Sequence, residues 1–170
     1  VGLALASRLE GQSKTYGLSI ILGEATRAAA PSWASLELDL IAVKGKEEAV
    51  RIYTLLGGPE HARTPEFVAL AEHHAAMLHR YRRQDWAGAR AALANCRGRE
   101  GRLEGLYELY EERIAYFADN PPAADWDGVV LTCDDDILYP MDYVRKTLAV
   151  LDRWPGRATV VAGAHRGGLA

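Results

Sequence analysis

The feature that most limits what this chain can fold into is a hydrophobic period that changes along its length. Residues 36–43, "LELDLIAV", alternate leucine with acid, and residues 49–56, "AVRIYTLL", alternate again. A period of two is that of a half-buried strand. Lys44-Gly45-Lys46 between the two runs predicts a β-hairpin turn. After the linker-like "GGPEHARTP", residues 57–65, the period becomes helical. Thr64 is placed to cap and Pro65 takes the first helical position. Phe67, Leu70, His74, Met77 or Leu78, and Tyr81 then recur on one face. Asp85 caps a second helix with Trp86, Leu93 and Cys96 inward, and a third carries Leu103, Leu106, Tyr107, Tyr110, Ile114 and Phe117 before "DNPP" ends it. After residue 128 the period changes again. Residues 129–132 read as a strand, 140–154 as a helix opened by Pro140, and 158–163 as a second apolar strand. Upstream of the hairpin, residues 3–14 read as a helix bracketed by Gly11 and Gly17, "LSIIL" (18–22) as a buried strand, and "GEATRAAAPS" as a short helix stopped by Pro31.

These elements imply a mixed α/β (α+β) chain in three parts, residues 1–58, 59–128 and 129–170. Composition excludes several classes. The net charge of −3 offers no broad basic field for nucleic acid or an anionic membrane. Cys96 and Cys133 form neither a disulfide framework nor a zinc pattern, which points to a reducing, cytoplasmic setting. No apolar run approaches the roughly 20 residues needed to span a bilayer, and no signal peptide is evident. A start at Val1, without Met or a lead-in loop, suggests a fragment.

Two segments carry chemistry. Residues 5–11 read "LASRLEG", followed by "QSKTYGLSIILGEATRAA", and residues 43–56 read "VKGKEEAVRIYTLL". The first resembles the Asn-x-x-x-Arg helix of class III adenylate/guanylate cyclases, which ends "NLASRLEG", and the second resembles the last hairpin of the same ferredoxin-like catalytic domain. The motifs stand in the family's order. The resemblance implies conversion of ATP to cyclic AMP and diphosphate, with Mg²⁺ or Mn²⁺, in a head-to-tail homodimer. Family members are often membrane-anchored through other segments. The family's arginine, which lies against the phosphate under attack, falls on Arg8, and its triphosphate lysine falls on Lys44. The chemistry suits those residue types. A planar, permanent cation stabilises charge developing on a phosphoryl group, and a compact ammonium at a glycine turn approaches phosphate oxygens closely.

The departures matter equally. Ala4 stands where the family has its ribose-positioning Asn, and "VGLA" replaces its "GDxVN" lead-in. The family's two metal-binding aspartates lie on strands before this helix and have no counterpart here. The resemblance therefore implies a cyclase-derived chain with no turnover of its own. Arg8, Lys44 and Lys46, taken without it, would read as solvated surface charges.

Residues 59–128 resemble the helical extension that follows the catalytic domain in some bacterial cyclases. "YRRQDWAGARAAL" is similar to the turn and second helix of a tetratricopeptide repeat. This leaves open a binding module whose helices, 64–118, dock a protein partner. The stripe Leu106, Tyr110 and Ile114 reads more as core than as a groove. His73 and His74 are adjacent, lack metalloprotease spacing, and read as surface or half-buried.

The second chemical segment is "TCDDDILYPMDYV". Carboxylates at a strand end suit a hard divalent ion, and alternate residues, Asp134 and Asp136, can reach one ion together. The stretch 129–165 resembles part of a Rossmann-like nucleotide-sugar glycosyltransferase, where such a triplet holds Mg²⁺ or Mn²⁺ against the sugar diphosphate. A solvated acidic loop capping the next helix is the alternative. Cys133, with no basic neighbour in sequence, reads as a buried strand cysteine. The chain thus reads as a cyclase-type segment joined near residue 128 to a slice of a second family, as a fusion or an assembly artefact. A glycosyltransferase fragment and a protein-interaction module are the alternatives.

Overall fold

A computed structural model describes residues 12–42, 49–131 and 158–160 of the chain. Residues 12–16 are helical. The elements that follow are β1 (Leu22–Gly23), α1 (Glu24–Ala29), β2 (Ala34–Ala42), β3 (Val50–Gly57), α2 (Pro65–Arg82), α3 (Trp86–Cys96), α4 (Glu104–Asp119), β4 (Val129–Leu131) and β5 (Ala158–Val160), with single 3₁₀ turns at His61–Arg63 and Gly101–Leu103. The fold is mixed α+β. Its five-stranded sheet runs β1-β3-β2-β4-β5. β2 and β3 pair antiparallel, as expected of the two alternating runs, and β1 pairs antiparallel with β3. β4 pairs parallel with β2, and β5 parallel with β4.

Caps fix the helix starts. The Thr64 hydroxyl accepts from the Phe67 amide and Pro65 follows at the first helical position, while Asp85 accepts from the Gly88 amide to start α3. Between α2 and α3 the chain turns through Gln84, whose φ of 60° is uncommon for a residue with a side chain; its side-chain Nε2 donates to the Ala123 carbonyl at 2.7 Å. The apolar stripes of all three helices face inward. Phe67, Leu70, Met77, Leu78 and Tyr81 of α2, Leu93 and Cys96 of α3, and Leu106, Tyr107, Tyr110, Ile114 and Phe117 of α4 are buried. Tyr81, Trp86, Phe117 and Trp126 form an aromatic cluster, with ring centres 5.2 Å apart for Phe117 and Trp126. Trp126 donates from Nε1 to the Val129 carbonyl, which ties the core to the start of β4. One hydrophobic cluster runs from Tyr16 through β2, β3 and the three helices to Val130.

Three local expectations change. Residues 18–22 are not a buried strand. Only Leu22 and Gly23 pair with β3, and Ile20 is 44% exposed, with its carbonyl accepting from Thr54 Oγ1. A short apolar run satisfies several local structures equally well, and here only its last residue reaches the sheet. β2 does not alternate throughout. Glu37 pairs with Tyr53 and Asp39 with Ile52, so β2 carries one more residue than β3 at Leu38, and a bulge shifts the register. Leu38 and Asp39 are both buried, and the inward phase continues at Ile41. His74 is neither exposed nor half-buried. It is fully buried on the inward stripe of α2.

Among the described residues, no helix is long and apolar enough to cross a membrane.

Candidate functional site

Arg8, Lys44, Asp134 and Asp136, the residues expected to carry chemistry, lie outside the described residues, as do Ala4, Cys133 and the Lys44-Gly45-Lys46 turn. Among the described residues no group of three or more His, Cys, Asp or Glu is arranged to hold a metal ion.

The structure does bring together a buried polar seam between sheet and helices. Its centre is Asp39, carried inward by the β2 bulge and 1% exposed. Asp39 Oδ2 accepts from Arg113 of α4 at 2.5 Å and from the Tyr16 hydroxyl at 2.7 Å, and Oδ1 accepts from the Leu40 amide at 2.9 Å. A buried carboxylate is tolerated only with such partners. Arg113 is 4% exposed and lies over the Tyr16 and Tyr110 rings, 5.8 and 5.5 Å from their centres. Burial works against its charge, but Asp39 beside it outweighs that, and its pKa is raised well above the ordinary value. Burial also pushes the Tyr16 and Tyr110 hydroxyls well above the usual phenol range, so both act as donors. Among the described residues, the buried Arg113 Nε and Tyr81 hydroxyl have no partner at hydrogen-bond distance.

The seam continues along β2. Tyr110 donates to the Leu38 carbonyl at 2.6 Å. His74 Nε2 lies 2.6 Å from the Glu37 carbonyl and Nδ1 lies 3.2 Å from the Tyr107 hydroxyl. A carbonyl can only accept, so Nε2 carries the proton and Nδ1 accepts from Tyr107. Burial lowers the His74 pKa, with the Glu37 carbonyl acting the other way. Side chains of α2 and α4 thus satisfy successive carbonyls of β2, a role that a further strand would otherwise play. The Glu37 carboxylate pairs with Arg82 at 2.5 Å and Arg51 at 3.1 Å.

Beside this seam a groove of about 440 Å³ runs between β2 and α2, lined among others by Ser35, Glu37, His74, His79, Arg82 and Arg83. Its acid and Arg82 are satisfied by one another. Chemically the seam is a structural tie: Asp39 on β2 is held by Arg113 of α4 and by Tyr16.

Asp39, Arg113 and Tyr16 are the residues that the sequence reading missed. One signal was available. Arg113 stands three residues after Tyr110 and four before Phe117, so it occupies the inward face of α4. A charge on an apolar face needs an opposite charge opposite it, and Asp39 stands in the strand segment "LELDLIAV".

No protein-family model, no curated protein and no solved structure matches this chain.

Proposed function

We propose that residues 3–131 derive from a class III adenylate cyclase, as the C-terminal part of its catalytic domain with a helical extension, and that Arg8 and Lys44 are its retained phosphate-binding residues. One observation carries the reading. "LASRLEG" and "VKGKEEAVRIYTLL" occur in order, and residues 50–56 of the second lie in β3, which pairs antiparallel with β2 immediately upstream of that motif. The helical region supports it from another side. Its apolar stripes are committed to the sheet's own core, as befits an extension of that domain rather than a free docking array.

In this reading the chain contributes a phosphate-facing half-site. A guanidinium and an ammonium would offset the charge that develops as the ribose 3′-oxygen attacks the α-phosphate and diphosphate leaves. The metal carboxylates have no counterpart in the matched segment; in the head-to-tail pairing that the resemblance implies, the partner catalytic domain supplies them. Divalent metal supplies the remaining charge neutralisation when that partner is present.

The test is cyclic AMP formation from ATP and Mn²⁺. The purified chain forms none alone. Mixed with a class III catalytic domain that keeps its metal aspartates but has its own motif arginine replaced by alanine, it restores turnover. Turnover by the chain alone, or no restoration by the mixture, rejects the proposal.

A further inference from the structure

We infer that Arg113, Asp39 and Tyr16 form a positioning relay by which the helical extension fixes the end of the helix that the sequence predicts to carry Arg8. The inference rests on the cyclase reading for its consequence and on the structure for its geometry.

Tyr16 is the last residue of helical segment 12–16. The segment ends in a Schellman motif. The Gly17 amide donates to the Lys14 carbonyl, the Leu18 amide donates to the Ser13 carbonyl, and Gly17 has φ of 65°. Leu18, the residue after the glycine, is 6% exposed and joins the core. Gly17 also lies against α4: a Cβ built on it would sit 3.9 Å from the Gly105 Cα. Two glycines therefore let the helix end meet the α4 backbone directly. One α4 turn after another, the same helix then presents Arg113, which holds Asp39, which accepts from Tyr16.

This end of the helix is thus fastened twice to α4, once by backbone proximity and once through a buried ion pair. Arg8 lies eight residues before Tyr16 in the sequence. A cation that stabilises a transition state must be held close to its working geometry, so small rotations at the helix end would cost turnover more than binding. Arg113 is then a positioning residue, distant in sequence from every motif of the catalytic segment.

Tyr16→Phe removes only the last link and leaves Arg113 paired with Asp39. Tyr110→Phe is the matched control, because it removes a buried tyrosine-to-carbonyl bond on the same strand without touching helix 12–16. In the complemented cyclase assay, Tyr16→Phe lowers kcat about fivefold at unchanged KM for ATP, while Tyr110→Phe stays within about twofold at a similar loss of thermal stability. Equal effects of the two variants, or no effect of Tyr16→Phe, overturn the relay. If the unmutated chain restores no turnover, the cyclase reading fails, and amide hydrogen exchange reads the link separately. Exchange at residues 14–18 then rises about tenfold in Tyr16→Phe and not in Tyr110→Phe. Unchanged exchange in Tyr16→Phe overturns the relay on that readout too.

Discussion

Replacing Arg113 by methionine strikes a buried ion pair shared by the sheet and the helical extension. Methionine fills much of the same volume and removes only the cation. Asp39 remains, 1% exposed, with the Tyr16 hydroxyl and the Leu40 amide still bonded to it. Removing one partner of a buried ion pair costs about 3–5 kcal/mol. The two surviving bonds to Asp39 place this case in the lower half of that range. For a chain of this length such a loss lowers Tm by about 6–16 °C. The assay is urea unfolding of the purified chain at pH 7, followed by far-UV circular dichroism, with the m-value checked for constancy. The informative companion is Asp39→Asn/Arg113→Met. Asparagine keeps an acceptor for Tyr16 and Leu40 but carries no charge, so the double variant should be more stable than Arg113→Met by about 1–3 kcal/mol. A cost below about 1 kcal/mol for Arg113→Met, or a double variant that is weaker than the single, refutes an ionic seam.

Two further outcomes follow from other parts of the seam. His74 is buried in its neutral form with a lowered pKa, so the unfolded chain binds more protons than the folded one below the ordinary histidine range. Its contribution is fully present above about pH 6.5 and is lost as pH falls through and below that value. Unfolding free energy measured between pH 7 and 5 should decline, and His74→Gln should flatten the decline; an unchanged slope would contradict the assignment. Gly128 has φ of 90°, and a Cβ there would lie 2.4 Å from the Cγ of Arg82, which is held by Glu37. Gly128→Ala should cost about 1–3 kcal/mol, whereas Gly101→Ala, which meets nothing within 4 Å, should change stability by less than about 0.5 kcal/mol. Equal thermal shifts for the two would show that the backbone at 128 is not constrained in this way.

The helices were the most legible part of the sequence. Thr64-Pro65 and Asp85 signal their starts by local chemistry, and stripes such as Leu106, Tyr110, Ile114 and Phe117 state which face is inward. The hairpin was legible from its alternation. The bulge at Leu38 was not, because an extra residue leaves the composition of a strand unchanged and shifts only its phase. That shift is what carries Asp39 inward, so the seam was hidden with it. Pairing between β2 and β4 was hidden for a different reason. It joins residues some ninety positions apart in sequence, Leu40 with Val129, and short-range patterns say nothing about such partners. The core itself does not stop at residues 58 or 128: Tyr16, Met77 and Val130 belong to one cluster. Of the candidate site, motif resemblance pointed to Arg8 and Lys44, which lie outside the described residues. It gave no hint that Arg113, in the helical segment, would reach Asp39 on β2.

The most direct measurement is turnover in the complemented cyclase assay with Arg8→Ala beside the unmutated chain. Arg8 lies in the helix motif that defines the family resemblance, and a retained transition-state cation has one decisive consequence. The unmutated chain should restore cyclic AMP formation to a partner that lacks its own motif arginine, and Arg8→Ala should remove about a hundredfold or more of that turnover. Restoration that survives Arg8→Ala undiminished would contradict the proposed role of the helix and, with it, the cyclase origin of the site.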